Sequence, residues 1–235
     1  MNTVKDKVAY ITGGSKGIGF GIAHTLIEAG MKVAISGRDK ESIEQAKHAL
    51  GNQNVLAIVS DVRNYEDEVK AIETIVKEFG KVDVVIANAG LGKFAPIDQL
   101  ALEDWHSMID TNLTGVFHTL KASVEQLKEH KGYYITIASL AGTNFFANGT
   151  AYNASKFGVV GFTQAAMLDL RNYDVKCTTI LPGSVTSHFN GHVPNEKDAW
   201  KIQPEDMGQL IVDLLKMNAN VLPSKIEIRP TKTTL

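Results

Sequence analysis

Cysteine is nearly missing from this sequence: Cys177 stands alone among 235 residues. A single thiol excludes an internal disulfide framework, and a reducing compartment is the expected setting. Six prolines leave no proline-rich linker, and no low-complexity tract or internal repeat divides the chain. No apolar run approaches the roughly 18 to 20 residues of a membrane span. The opening MNTVKDKVAYITGG has too short an apolar stretch for a signal h-region and no small-residue cleavage site. Neither sign of charge dominates, with 24 basic against 26 acidic side chains and a net charge of −2. The basic residues are dispersed, so neither nucleic acid nor an acidic membrane surface is an expected partner. A cytoplasmic protein is expected.

What is present is the composition of a folded domain, 44% hydrophobic and 21% charged. At this length roughly 70 to 75% of the unfolded chain's surface is buried on folding, so residues 1–235 are expected to form a single domain. Short β-branched runs alternate with longer amphipathic stretches. Runs start at Val8, Lys32, Val55, Val82, Tyr133, Val175 and Ile226. The first helix runs from Gly17 to Ala29 with Gly30 as its stop, and a polar helix ends near Gly51. Asn64 reads as an N-cap with Asp67 three positions on, Val69, Ile72, Val76 and Phe79 on one helical face, and Gly80 closing the helix. The strand runs are almost continuously apolar and their spacing admits crossover helices, which points to a parallel sheet covered on both faces. The expected fold is α/β, a three-layer, doubly wound sheet of seven parallel strands with about six helices. Residues 186–203 break the rhythm and read as a substrate loop.

Directly after the first strand comes TGGSKGIG, residues 12–19, opening a helix. Gly13, Gly17 and Gly19 allow a tight turn whose N–H groups and positive helix end face a pyrophosphate. The alternative is a plain tight turn. Gly37 stands where an NAD-preferring site places a carboxylate for the ribose hydroxyl, and Arg38 follows. With Lys16, Arg38 can pair with a 2′-phosphate, so NADP(H) is favoured over NAD(H). Asp39 is the rival ribose acid, 20 residues beyond Gly19, but reads better as the start of the second helix. Asp61, at the third strand's end, reads either as an adenine contact or as a cap or turn residue.

Tyr152 and Lys156 are four apart in YNASK, on one face of a helical stretch. An ammonium about 5 Å from a phenol, at an effective dielectric near 20, contributes on the order of 3 kcal/mol, or roughly two pKa units. That brings the phenol toward the working range of a general acid or base. An ordinary surface pair is the alternative. Ser139 ends the fifth strand 13 residues before Tyr152, at the carboxyl edge where open α/β sheets bind ligands. Asn112, in TNLTG on a long helix covering 102–129, offers its amide and a local backbone opening to a water leading to Lys156.

Taken together, TGGSKGIG, the ANAG of 87–90, TNLTG, Ser139, YNASK and Pro182-Gly183 resemble the short-chain dehydrogenase/reductase family in order and spacing, over nearly the whole chain. The resemblance implies a Rossmann-type fold and an Asn112, Ser139, Tyr152, Lys156 tetrad. Tyr152 would exchange a proton with a carbonyl or alcohol oxygen, Ser139 would orient that oxygen, and Lys156 would lower the phenol pKa and bind the nicotinamide ribose. Implied cofactor contacts are Gly13, Ser15, Lys16, Gly17, Ile18 and Gly19 around the phosphates, with Arg38, Asp61 and Val62 at the adenosine end. Asn88, Ala89 and Gly90 would form the floor, and Tyr152, Lys156, Pro182, Gly183, Val185 and Ser187 the nicotinamide end. The implied activity is an NADP(H)-dependent carbonyl reductase or alcohol dehydrogenase, and the implied assembly a homodimer or homotetramer through the long helices at 102–129 and 150–172.

Ser187 stands where the family often has threonine, and the ending IEIRPTKTTL lacks the V-D-G-G common among acyl-carrier-protein reductases. An acyl-carrier-protein reductase and a non-catalytic NADP(H) sensor are the alternative functions. Leu140, Phe145, Phe146 and Phe189 are candidates for an apolar wall around a small-molecule substrate. His188 and His192 lie in a loop and are read as lid residues, so no metal is expected. Trp105 and Trp200 read as packing residues.

Overall fold

The computed structural model describes residues 3–51 and 53–233. Met1, Asn2, Asn52, Thr234 and Leu235 of the expected domain lie outside the described residues. Seven parallel strands form one sheet: β1 (Val8–Thr12), β2 (Lys32–Gly37), β3 (Val55–Val59), β4 (Val84–Ala87), β5 (Tyr133–Ile137), β6 (Lys176–Pro182) and β7 (Lys225–Ile228). Their order, β3-β2-β1-β4-β5-β6-β7, reverses direction between β1 and β4, and such a switch point opens a crevice at the carboxyl ends of both strands.

Alternation along the strands sorts the core into two layers. Ala9, Ile11, Val33, Ile35, Val84 and Ile86 face one side with Ile22, Leu26, Ile43 and Ile211. These come from α1 (Gly17–Glu28), α2 (Lys40–Ala49) and α7 (Pro204–Lys216). Val8, Tyr10, Ala34 and Val85 face the other side with Ala71, Ile75, Leu120 and Val159. Those come from α3 (Tyr65–Phe79), α5 (Gly115–Glu129) and α6 (Thr150–Leu170). Gly30 and Gly80 stand at the ends of α1 and α3 in the left-handed region, at φ 85° and 87°.

The expected 102–129 helix is interrupted. An α4 segment (Leu102–Ile109) passes through a single π turn, Asp110–Thr114, into α5, so seven α-helical segments replace the expected six among the described residues. The inserted π turn widens the helix at TNLTG, the place where a backbone opening was expected.

The buried face of α3 is also different. Glu68, Ala71, Ile72 and Ile75 face inward, while Val76 and Phe79 pack only at its margin. The shift follows from Glu68, which accepts hydrogen bonds from the Tyr10 hydroxyl at 2.9 Å and the Ser60 hydroxyl at 2.7 Å. Those bonds admit an acidic side chain to the core, where burial raises its pKa. Asn64 caps α3 by accepting from Glu66 N–H. Asp67 accepts from the backbone N–H of Asp61 at 3.2 Å instead of closing a capping box.

Among the described residues no helix is long and apolar enough to cross a membrane.

Candidate active site

The phosphate end is built by a clamp at the switch point. Thr12 ends β1, and its hydroxyl accepts from the backbone N–H groups of Asn88 and Ala89, each at 3.1 Å. In return the Asn88 amide donates to the carbonyls of Thr12 at 2.9 Å and Gly13 at 3.1 Å. The glycine turn threads beneath this clamp. A Cβ on Gly13 would come within 2.9 Å of Ala89 Cα, and one on Gly19 within 2.4 Å of the Gly13 carbonyl oxygen. Side chains are therefore excluded there. Lys16 is the N-cap of α1 and supplies no side-chain cap. The first-turn amides and the positive helix end thus suit an anionic phosphate, so the residues present fit a dinucleotide's pyrophosphate.

At the adenosine end, Gly37 closes β2 with Ser15 beside it, 3.8 Å separating the Ser15 hydroxyl oxygen from the place a Cβ would occupy. Asp39 is the N-cap of α2 and accepts from Ser42 N–H at 2.8 Å, so the helix-start reading holds. Arg38 is exposed. Asp61 accepts from Arg63 through the backbone N–H at 3.1 Å and the side-chain Nε at 3.0 Å. The Arg63 hydrogen bonds hold its carboxyl below the usual range, with the Arg38 charge acting in the same direction. Asp61 is thus tied to Arg63 in the turn that follows β3. Val62 is buried, its carbonyl 3.0 Å from His118 Nδ1.

The chemical end lies at the carboxyl edge of β5. Ser139 follows that strand and caps a short turn, accepting from Ala141 N–H at 3.1 Å. Tyr152 and Lys156 sit on α6, both almost wholly buried, with the Lys156 ammonium 5.8 Å from the Tyr152 ring centre. The ammonium donates to the Ile137 carbonyl at 3.0 Å, and its nitrogen lies 3.6 Å from where a Gly90 Cβ would be. Gly90 and Lys156 therefore share one wall of the crevice.

Electrostatics here differ from expectation. Burial raises the Tyr152 phenol above its ordinary pKa, opposed by a hydrogen bond with Ser139. The expected lowering by Lys156 is not found in the chain by itself. Lys156 is itself desolvated, which drops its ammonium to about 8, and it points at a backbone carbonyl rather than at the phenol oxygen. Within this site a lowered phenol pKa needs further positive charge or hydrogen bonds on the phenolate.

Asn112 stands on the π turn, fully buried. Its amide oxygen accepts from Leu91 N–H at 2.8 Å, and its nitrogen donates to the Leu91 carbonyl at 2.9 Å and the Ser155 hydroxyl at 3.0 Å. The side chain expected to hold a water is thus committed to pinning the segment after β4 against α6.

The 186–203 loop carries two short helical turns of its own. Its base is joined by a parallel bridge between Val185 and Ile202. The His192 ring nitrogen lies 2.6 Å from the buried Asp198 carboxylate, which also pairs with Lys201. Ser187 lies against Gly17, its Cβ 3.3 Å from where a Gly17 Cβ would be, so the loop reaches back over the glycine turn. Pro182 ends β6 and pairs with Ile228, and Gly183 N–H donates to the Ile228 carbonyl at 2.8 Å. Among the described residues no group of three or more His, Cys, Asp or Glu is placed to hold a metal ion.

The expected apolar wall is only partly assembled. Phe146 and Phe189 join the ring cluster at Tyr152 through Phe94. Phe145 instead stacks on Phe157, while Leu140 lies against Gly183. Trp105 packs beside Tyr152's cluster as expected, and Trp200 lies under the Lys201 ammonium. Four contributors went unnoticed in the sequence: Thr12, Phe94, Ser155 and Asn153. Asn153 donates to the carbonyls of Ala141 at 2.7 Å and Asn144 at 2.8 Å, holding the segment after Ser139. Thr12, Asn153 and Ser155 lie inside motifs already quoted, whereas Phe94 carries no local signal.

Comparison with known proteins agrees with this architecture. The family model described as short chain dehydrogenase matches residues 7–198. An uncharacterized oxidoreductase of Staphylococcus aureus (strain MW2) is 33% identical over 98% of this chain and all of its own. Among solved structures, an alcohol dehydrogenase from the archaeon Thermococcus sibiricus, complexed with 5-hydroxy-NADP, superposes with a TM-score of 0.90. It is 31% identical and covers 97% of this chain and 98% of its own. A metagenomic short-chain oxidoreductase in complex with NADP gives 0.85 at 28% identity, covering 99% of this chain and all of its own. Sheet order, clamped glycine turn and the Ser139, Tyr152 and Lys156 cluster thus coincide with a sequence match over most of the chain, which belongs to the short chain dehydrogenase family.

Proposed function

We propose that this oxidoreductase interconverts a ketone or aldehyde and an alcohol, using NADP(H) in preference to NAD(H), with Tyr152 as the proton donor or acceptor. The observation that carries the reading is the meeting of Tyr152, Ser139 and Lys156 at the carboxyl edge of the sheet, in reach of the crevice that the glycine turn opens. A bound nicotinamide supplies or accepts the hydride. In the reducing direction the Tyr152 hydroxyl gives its proton to the carbonyl oxygen, and Ser139 holds that oxygen by a second hydrogen bond. Lys156 would hold the nicotinamide ribose and resupply the Tyr152 proton from its desolvated ammonium, while Asn112 on the π turn fixes the segment after β4 against α6 beside it.

Arg38 and Lys16 would pair with the 2′-phosphate, and Gly37 removes the carboxylate that would repel it. Purified protein mixed with NADPH and a panel of ketones and aldehydes is expected to consume NADPH. Nucleotide binding without turnover of any carbonyl or alcohol would favour a sensor instead.

The assembly is proposed to be a homodimer or homotetramer packed through α5 and α6, which leave Phe117, Phe157 and Leu168 exposed on one chain. Sedimentation is expected to give two or four times the mass of one chain; a single-chain mass at micromolar concentration would contradict this.

A further inference from the structure

Three phenylalanines from separate segments form a ring cluster at Tyr152, Phe94 and Phe189 touching its ring and Phe146 joining through Phe94. Phe94, in the segment after β4, meets the Tyr152 ring edge-on, with centres 5.5 Å apart and planes inclined by 72°. Phe189, in the loop after β6, lies 5.6 Å from Tyr152 at 56° and 6.4 Å from Phe94 at 60°. Phe146, in the segment after Ser139, closes on Phe94 at 5.8 Å and 55°. All three stay 38 to 48% exposed. A cluster of half-open rings beside a reactive group is a ligand-binding feature rather than a core.

The seat of Phe189 is informative about size and shape. Its ring lies against the backbone of Gly92, where a Cβ would come within 2.4 Å of Phe189 Cζ and 3.0 Å of Phe94 Cζ. The slot above Gly92 and beside Tyr152 therefore already accepts a phenyl ring at edge-to-face distances from two neighbours. The ring is lightly tethered. It rides on a three-residue turn whose next residues, Asn190 and Gly191, have left-handed φ of 53° and 76°. Its backbone N–H donates only a long 3.4 Å bond to the Ser187 hydroxyl.

We infer that the substrate is a carbonyl compound bearing an aryl group next to the reacting carbon, or the matching aryl carbinol. In this arrangement Phe189 holds the aryl seat beside Tyr152 and turns aside to close over the substrate's ring. The inference rests on the proposed reductase reading and adds the substrate class. Flat rings gain from the inclined walls of Phe94, Phe146 and Phe189, whereas a saturated chain of equal size gains burial alone.

The test compares acetophenone with 2-octanone, both eight-carbon methyl ketones, in the full chain with NADPH. Acetophenone is expected to have a kcat/KM about tenfold higher or more, as follows from two or three aromatic pairs. Phe94→Leu is expected to cut that ratio about fivefold, whatever it does to the rate with either ketone alone, with the melting temperature near its original value. Phe94→Tyr, which keeps the ring, is expected to retain the ratio. Should Phe94→Leu fail to fold, Phe189→Leu provides the same reading from the loop. Equal kcat/KM for both ketones, or a ratio indifferent to these substitutions, overturns the aryl assignment and leaves the reductase reading standing. Absence of turnover with any carbonyl overturns both.

Discussion

Tyr152→Phe is expected to lower turnover of any accepted ketone by about 10²- to 10⁴-fold, the usual range for removing a positioned general acid. The substitution deletes one oxygen from a ring that is packed edge-on against Phe94 and near Phe189. The ring's packing therefore survives. The glycine turn, which would hold the nucleotide's phosphates, and the Thr12–Asn88 clamp that braces it lie on other elements. NADPH affinity is expected to stay within about threefold, since only a phenol hydroxyl's hydrogen bond is removed. Single-turnover kinetics and nucleotide titration separate the two quantities. A variant that keeps more than about a tenth of the original rate would mean that another group moves the proton.

Arg38→Ala is expected to weaken NADPH use by about 10- to 100-fold, the contribution of a charge-assisted hydrogen bond to a phosphate, while NADH use is unchanged. Gly37→Asp should go further and reverse the preference. At Gly37 an added Cβ meets only Ile43 at 3.6 Å and Ser15 at 3.8 Å, ordinary contacts that leave room for a side chain. A carboxylate there would repel a 2′-phosphate and accept from the ribose hydroxyls of NAD. The kcat/KM values for the two nucleotides, measured at fixed ketone, check both variants. An Arg38→Ala protein with unaltered NADPH kinetics would assign the phosphate to other residues.

These expectations began in the sequence, and the legible parts had local causes. Near-continuous apolar runs such as VAYIT declare strands buried on both faces, and the structure places them in a seven-stranded parallel sheet. Tyr152 and Lys156 are visible because helical geometry alone puts residues four apart on one face. What stayed hidden depends on contacts between distant segments. Phe94 is one aromatic in an irregular stretch until α6 and the loop after β6 bring Tyr152 and Phe189 to it. Glu68 reads as a solvent-facing acid until Tyr10 and Ser60 supply its hydrogen bonds.

The charge logic of the Tyr152 and Lys156 pair was the hardest to anticipate. Sequence spacing conveys that a cation is near but not that both groups are desolvated, or that the ammonium donates to Ile137.

The most direct measurement is the ionisation of the Tyr152 hydroxyl, followed by ¹³Cζ-tyrosine NMR with Tyr152→Phe as the assignment control. In the chain alone burial keeps the phenol above the ordinary tyrosine pKa. With NADP⁺ bound, the added positive charge and the Lys156 ammonium favour the phenolate, and the midpoint is expected to fall by about two units or more. Alcohol oxidation with NADP⁺, which needs the phenolate, is then gained as pH rises through that midpoint, whereas ketone reduction with NADPH, which lacks that added charge, keeps its protonated phenol to higher pH. A phenol midpoint unmoved by NADP⁺ would contradict Tyr152 as the group that exchanges the proton.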